Sequence, residues 1–225
     1  MGKRQFLITE DGSHTLFVPE LDETYHSAHG AIQESNYVFI HQGLEYFRIN
    51  SAHEKIRVFE VGFGTGLNAL LSAVFAEKHQ ITIDYTSIES FPLALDVFEK
   101  LNYPKLMDSE STTELFTKIH ESPWEEYAPI STYFQLQKLK KALQTHEFDK
   151  KYDVCFFDAF APSKQPELWE KRILEKVYSA LDDKGVFVTY CAKGQLKRDL
   201  RDIGFKVGSL PGPPGKMEMV RGVKV

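Results

Sequence analysis

A glycine-rich turn between an apolar strand and a helix constrains this chain more than any other feature. Residues 58–66 read Val-Phe-Glu-Val-Gly-Phe-Gly-Thr-Gly, with glycines at Gly62, Gly64 and Gly66. Such a run predicts a buried strand that turns sharply into a helix beginning near Leu67. In an open α/β sheet, a ligand binds beyond that end of the strand. The sequence therefore predicts a small-molecule site in a doubly wound α/β fold.

The spacing of the glycines separates two kinds of ligand. In a dinucleotide fingerprint the third glycine follows the second by three positions, where the backbone approaches a pyrophosphate. Here Gly66 follows Gly64 by two positions, and the strand carries an acid, Glu60, that would repel a pyrophosphate. A ligand with a cationic group and no phosphate fits better, so we predict S-adenosylmethionine with Glu60 facing its ammonium group. The alternative is an ordinary tight turn, although such a turn rarely needs three glycines and an acid together.

The composition limits the class of protein. The chain has 225 residues, 42% of them hydrophobic, enough for one large domain or two small ones. No apolar run reaches the length of a membrane-spanning helix, so we expect no membrane association. Cys155 and Cys191 lie in apolar segments and are interpreted as buried thiols in a reducing compartment. The histidines do not cluster at ligand spacing. We therefore predict a cytoplasmic protein that holds no metal.

The charge leaves the kind of partner open. A formal net charge of −5 argues mildly against a protein that coats nucleic acid non-specifically. Basic residues nevertheless cluster at 138–141, 193–201 and 216–224. Each cluster, taken alone, is also typical of a solvated surface.

The order of predicted elements indicates the fold class. Residues 1–50 are expected to form an N-terminal extension, with a hairpin around Asp11 and Gly12, packed on a main domain of residues 51–225. A helix is expected over residues 28–35 of the extension. In the main domain strands alternate with helices, including helices expected at 92–101, 111–120 and near 140–145. This alternation predicts a mostly parallel sheet covered on both faces. The turn between the last two strands is too short for a crossover, so that pair must be antiparallel. We predict a Rossmann-like class I methyltransferase fold with a seven-stranded sheet whose last strand is antiparallel.

Two further acids occupy predicted strand ends. Glu89 ends the second strand of the main domain, where a carboxylate can accept hydrogen bonds from both ribose hydroxyls. The alternative for Glu89 is a surface acid at a helix start, since Pro92 follows closely. Asp158 ends the most apolar strand, and it could hold an acceptor amine or take up its proton. The alternative for Asp158 is a helix cap, and Phe160 nearby could stack on a planar ring.

Four separated segments resemble one family. Residues 59–68 and 157–169 resemble the methyltransferase domain of the bacterial MnmC-type tRNA-modifying enzymes. Residues 23–39 resemble the N-terminal signature of that domain, and residues 215–219 resemble its closing strand. The resemblance covers nearly the whole chain.

The resemblance implies a reaction, a cofactor and a set of site residues. The implied reaction transfers a methyl group from S-adenosylmethionine to the primary amine of 5-aminomethyl-2-thiouridine at the tRNA wobble position. Tyr25 and Lys216 would line the acceptor side with Asp158, and the tRNA anticodon loop would be the partner. The chain would be a stand-alone methyltransferase without the FAD-dependent domain of the fused enzymes, and another enzyme would supply its substrate. The residues assigned to the cofactor are Glu60, Gly62, Phe63, Gly64, Thr65, Gly66, Asn68, Glu89 and Asp158.

The chain departs from the family pattern in two places. The acid that often follows the third strand is replaced by Gln137 and Lys138, so adenine recognition is expected to come from elsewhere. Lys216 is followed by Met217, which reduces the basic pair of the closing strand. Three alternatives remain: the same chemistry on a small-molecule or protein amine, a non-catalytic partner that keeps the fold, and a dehydrogenase.

Overall fold

The computed structural model describes residues 4–107 and 110–225. Residues 1–3 of the predicted extension lie outside the described residues. Near the N-terminus, β1 (Gln5–Ile8), β2 (His14–Val18) and β3 (Glu23–Thr24) form a small antiparallel sheet in the order β1-β2-β3. The predicted hairpin around Asp11 and Gly12 is confirmed.

The main sheet has eight strands rather than the predicted seven. They run in the order β10-β11-β9-β8-β4-β5-β7-β6. The additional strand, β6, is a three-residue antiparallel edge strand that contains Pro129, and so short a strand carries no alternation signal. β11 is antiparallel to both of its neighbours, as predicted, and the central strands are parallel. The strands are β4 (Lys55–Val61), β5 (Thr82–Ile88), β6 (Tyr127–Pro129), β7 (Phe134–Leu139), β8 (Tyr152–Phe157), β9 (Leu181–Thr189), β10 (Phe205–Pro211) and β11 (Glu218–Lys224).

Helices cover both faces of this sheet. Two sequence predictions for helices are wrong: 92–101 contains only a single turn of helix, and 140–145 forms turns. At 140–145 the N–H groups of Thr145 and His146 both donate to the Ala142 carbonyl, which closes turns, and the Lys176 ammonium donates to the carbonyls of Leu143 and Gln144. The helices are α1 (Ala31–Ser35), α2 (Tyr46–Asn50), α3 (Leu67–His79), α4 (Leu95–Phe98), α5 (Tyr103–Leu106), α6 (Glu110–Glu121), α7 (Lys171–Ala180) and α8 (Gly194–Ile203), with a 3₁₀ turn at Pro166–Leu168.

A continuous helical segment joins the small sheet to the main one. A π-helical stretch, Asn36–Glu45, connects α1 to α2, whereas the sequence predicted a helix only as far as Ser35. A Cβ atom at Gly43 would lie 3.0 Å from the side chains of Phe156 and Val188, so this segment packs directly on the sheet. Its apolar side chains share one core with β4 and β8. The division at residue 50 therefore remains a prediction, because the two parts share that core.

The register of the parallel strands brings the ligand-binding ends together. Val61 pairs with both Ile88 and Phe157, so β4, β5 and β8 end side by side. The next residues continue the alignment: Gly62 N–H donates to the Ile88 carbonyl at 2.9 Å, and Asp158 N–H donates to the Val61 carbonyl at 3.0 Å. Within the described ranges, no helix combines the length and hydrophobicity needed to cross a bilayer.

Candidate active site

A cavity of about 700 Å³ lies beyond these strand ends. The glycine turn and the ends of β5 and β8 form its floor, and residues of the N-terminal segment and of the turn before β11 close its sides. Glu60 and Gly66 are not among the residues that border the cavity. The predicted site residues that border it are Tyr25, Gly62, Phe63, Gly64, Thr65, Asn68, Glu89, Asp158 and Lys216.

The three glycines of the turn have positive φ angles, 91° at Gly62, 52° at Gly64 and 72° at Gly66. A Cβ atom at Gly62 would lie 2.5 Å from the Asp158 carbonyl oxygen, and one at Gly64 would lie 3.1 Å from the Tyr25 ring. The absence of side chains thus lets β8 approach the turn and keeps the cavity floor open.

His120 supports the turn from below, a role that sequence reasoning missed. Its Nε2 lies 3.1 Å from the Thr65 carbonyl, which can only accept, so this nitrogen carries the proton. The ring stacks on Phe98 at 4.3 Å, and burial lowers the pKa of His120 to about 3. A Cβ atom at Gly66 would lie 2.8 Å from Nε2, which explains the third glycine. The sequence placed His120 only at the end of a predicted helix, 111–120, and gave no sign of this contact.

Glu89 is held rigidly at the end of β5. One carboxylate oxygen accepts the Gly64 N–H at 3.1 Å, and the other accepts the Phe91 N–H at 2.8 Å. Each oxygen keeps a lone pair for a further donor in the cavity. Burial and the charge of Glu89 raise the pKa of Tyr25, so its phenol stays protonated. The arrangement suits recognition of a pair of hydroxyl groups.

Asp158 is half-buried at the cavity wall. Its Oδ2 accepts a hydrogen bond of 2.8 Å from the side-chain amide of Asn68. Burial raises the pKa of Asp158 to about 7; the charge of Glu34 also raises it, whereas the Asn68 bond and Lys216 lower it. Near neutral pH the carboxyl group can therefore both take up and release a proton.

The structure corrects the place assigned to Glu60. Its side chain is fully buried, with one oxygen accepting a hydrogen bond of 2.6 Å from Ser87 Oγ. Burial raises the pKa of Glu60 to about 8, and the neighbouring charge of Asp158 adds to the rise. Glu60 lies behind the turn, inside the sheet, because its side chain points to the face opposite its neighbours Phe59 and Val61. It is therefore a buried neighbour of Asp158 and does not border the cavity.

The side of the cavity that was predicted to bind the acceptor is built from distant parts of the chain. Tyr25 packs edge to face against Phe160, with ring centroids 5.2 Å apart. The Lys216 ammonium lies 3.9 Å from the Tyr190 ring centroid and forms an ion pair with Glu34. Glu34 and Tyr190 also border the cavity. Sequence reasoning missed both residues. Glu34 follows no strand-end or glycine pattern, and Tyr190, although it directly follows β9, is not one of the acids that marked the other strand ends.

Lys138, at the position where an acid was expected, has a structural role. Its buried ammonium donates to the carbonyls of Ile119 and His120, at 2.8 and 2.9 Å, and so caps the end of α6. Burial lowers the pKa of Lys138 to about 8. In this part of the cavity the wall is formed instead by Phe91, Lys141 and Leu143.

The residues present fit S-adenosylmethionine. The open glycine turn admits a ligand close to the backbone, and Glu89 presents a fixed acceptor for hydroxyl groups. The side chains of residues 4–107 and 110–225 include no cluster of three or more His, Cys, Asp or Glu that could hold a metal ion.

Fold and site together define a methyltransferase of the Rossmann-like type. A family model described as S-adenosyl-L-methionine-dependent methyltransferase matches residues 109–225, and the chain belongs to that family. The match includes Asp158 and the antiparallel closing strands.

Individual relatives extend the similarity to the N-terminal part. A protein of Hydrogenovibrio crunogenus named tRNA 5-methylaminomethyl-2-thiouridine biosynthesis bifunctional protein MnmC is 28% identical over 98% of this chain and 34% of its own length. A protein of the same name from Pseudomonas fluorescens is 30% identical over 89% of this chain and 32% of its own length. The chain thus spans about a third of these curated relatives. The crystal structure of MNMC2 from Aquifex aeolicus is 28% identical, with a TM-score of 0.77 over 99% of this chain and 70% of that one.

Proposed function

We propose that this protein methylates the primary amine of 5-aminomethyl-(2-thio)uridine at the tRNA wobble position, giving 5-methylaminomethyl-(2-thio)uridine. The observation that carries the proposal is the half-buried carboxyl group of Asp158, which faces the cavity beside the glycine turn. The tRNA substrate rests on the names of the relatives, which align with nearly the whole chain.

The cofactor would be held by the glycine turn and by Glu89. Gly62 and Gly64 allow the ligand to approach the backbone, and the two carboxylate oxygens of Glu89 would accept the ribose hydroxyls. Phe63, Thr65 and Asn68 would complete this wall. When bound, S-adenosylmethionine supplies a methyl group on a sulfonium centre.

Asp158 would prepare the acceptor for attack. An alkyl ammonium group has no lone pair, so its proton must leave before the nitrogen can form a bond to carbon. Asp158 accepts this proton on a carboxylate oxygen while a charge-assisted hydrogen bond keeps the amine in place. A pKa of about 7 for Asp158 leaves much of it ionised and ready to act as a base near neutral pH.

The acceptor uridine would enter between the aromatic and basic walls. Tyr25 and Phe160 offer ring faces to a planar base, and Lys216 offers a cation beside Tyr190. The anticodon loop of tRNA would be the partner, and an earlier enzyme of wobble-uridine modification would supply the aminomethyl group. Because its substrate is tRNA, we place the work of this protein in the cytoplasm.

The nearest alternative is the same transfer to a small-molecule or protein amine. The net charge of −5 favours it slightly, since tRNA is a polyanion. The salt dependence of substrate binding distinguishes these two functions. A complex with tRNA weakens steeply as the salt concentration rises, whereas a complex with a small amine does not.

Incubation with methyl-labelled S-adenosylmethionine and tRNA from a strain lacking this gene tests the proposal. Nucleoside analysis should find the label in 5-methylaminomethyl-(2-thio)uridine, and Asp158→Asn should greatly reduce it. Label in no nucleoside, with transfer to a free amine instead, would favour the alternative.

A further inference from the structure

Glu34 is a buried acid that the proposed mechanism does not use. It lies on α1, and its side chain is only 8% exposed. One carboxylate oxygen accepts the Ser27 N–H at 2.8 Å, and the other pairs with the Lys216 ammonium. A buried carboxylate that lost this partner would be strongly destabilising, so the pair is tightly maintained.

Lys216 is held on its other side by the site itself. Its ammonium lies over the Tyr190 ring, and the Tyr190 hydroxyl donates to the Ala159 carbonyl at 2.8 Å. Ala159 directly follows Asp158. Contacts therefore run from the N-terminal segment, through Lys216 and Tyr190, to the backbone beside Asp158.

Glu34, Lys216 and Asp158 border one cavity, so their charges act on one another across it. The ion pair with Glu34 engages the Lys216 ammonium, which could otherwise neutralise Asp158 directly. Glu34 and Lys216 act on Asp158 in opposite senses, the former favouring its protonated form and the latter its ionised form. The charged and titratable groups that act on Asp158 from the surrounding elements are Glu34, Glu60, Tyr85, Tyr190 and Lys216, with Asn68 as its hydrogen-bond donor.

We propose that Glu34 is a positioning residue of the methyl-transfer site: by holding Lys216, it sets how firmly Asp158 keeps the proton taken from the acceptor amine. This role in catalysis rests on the proposed function. It also assigns a task to the N-terminal segment, whose helix α1 would supply one of the charges that govern the base.

The rival explanation is purely structural, with the ion pair serving only to fasten the N-terminal segment to the turn before β11. Both explanations predict lower stability when Glu34 is changed. Only the positioning role predicts that the titration midpoint of Asp158 shifts, and that it shifts in opposite directions when Glu34 and when Lys216 is replaced.

Four proteins test this: Glu34→Gln, Lys216→Gln, the double variant, and Glu45→Gln as a control. Glu45 lies in the same helical segment but not at the cavity, and it pairs with Arg48 at 3.9 Å. The readout is the ¹³C carboxyl signal of Asp158 during a pH titration, assigned by its absence in Asp158→Asn. The pH dependence of kcat on the tRNA substrate is measured in parallel, and thermal melting checks that each variant folds.

Glu34→Gln should lower the titration midpoint of Asp158 by about one pH unit, and Lys216→Gln should raise it by a similar amount. The double variant should lie between them, and Glu45→Gln should match the wild type. An unchanged midpoint in Glu34→Gln, or shifts of the same sign in both single variants, would overturn the inference. If Glu34→Gln does not fold, Lys216→Gln alone tests the inference. A titration midpoint of Asp158 that fails to rise in Lys216→Gln is sufficient to reject the inference. Wild-type protein that leaves the tRNA unmethylated would defeat the proposed function, while the carboxyl titration would still decide this inference.

Discussion

The side-chain amide of Asn68 donates a hydrogen bond of 2.8 Å to Oδ2 of Asp158. This bond joins the first turn of α3 to the end of β8, across the floor of the cavity. Asn68 is buried, so the bond is shielded from competing water. It constrains the orientation of the carboxyl group that, in the proposed mechanism, meets the acceptor amine.

Replacing Asn68 by Ala should therefore impair catalysis through Asp158. The bond favours the ionised form, so its loss should raise the pKa of Asp158 and move the rising limb of the kcat profile to higher pH. We expect kcat at pH 7 to fall by about tenfold. Steady-state kinetics between pH 5.5 and 9 measure both the position of the limb and the loss of kcat. Asn50→Ala, which changes an exposed asparagine away from the cavity, is the control. An unmoved limb combined with a large loss of S-adenosylmethionine affinity would assign Asn68 to the cofactor instead.

Asp158→Ala should remove the base and leave the cofactor wall in place. We expect kcat to fall by about a hundredfold or more, with S-adenosylmethionine affinity nearly unchanged. Single-turnover kinetics and calorimetry measure the two quantities separately. Asp202→Ala, an exposed acid on α8 that pairs with Lys171, should keep full activity. Full activity in Asp158→Ala would remove this residue from the mechanism.

Gly62→Ala should distort the turn, whereas Gly208→Ala should be tolerated. At Gly62 the backbone has a φ of 91°, and a Cβ atom would lie 2.5 Å from the Asp158 carbonyl oxygen. We expect the free energy of unfolding to fall by about 1–3 kcal/mol and cofactor affinity to drop at least about tenfold. At Gly208 the nearest atom would be 3.8 Å away, within ordinary contact distance. Urea denaturation measures the stability of the two variants, and calorimetry measures their cofactor affinity. Equal losses in Gly62→Ala and Gly208→Ala would contradict the strain argument.

Glu60→Gln should make stability less dependent on pH. The pKa of Glu60 rises from 4.5 to about 8 on folding, so the folded state binds this proton more tightly than the unfolded state. The wild-type free energy of unfolding should therefore decline as pH rises from about 4.5 to about 8. Above that range this contribution to stability is fully lost. Gln keeps an acceptor for Ser87 and carries no charge, so the variant should lose less stability over this range. Urea midpoints at pH 5 and 8.5 measure the difference, and parallel declines in both proteins would refute it.

The resemblance and the alternating pattern predicted the fold well because these signals are local. The parallel strands, the antiparallel closing pair and the helix after the glycine turn follow from periodicity and turn residues alone. The predictions failed where contacts between distant parts of the chain shape the local structure. At 140–145 the backbone forms turns on the Ala142 carbonyl, and Lys176 of α7 donates to the carbonyls of Leu143 and Gln144. The Asn36–Glu45 stretch is helical because its apolar residues pack against the sheet.

The sequence by itself determined the alternation of elements, the open glycine turn and the placing of Glu89 and Asp158 at strand ends, since each depends on residues close together in the chain. Only the tertiary structure decided that Glu60 is buried behind the turn, that His120 supports it, and that Lys216 pairs with Glu34 across 182 positions of sequence. Burial and ion pairing are set by the neighbours that folding brings close in space, and no local pattern specifies which distant side chains those will be.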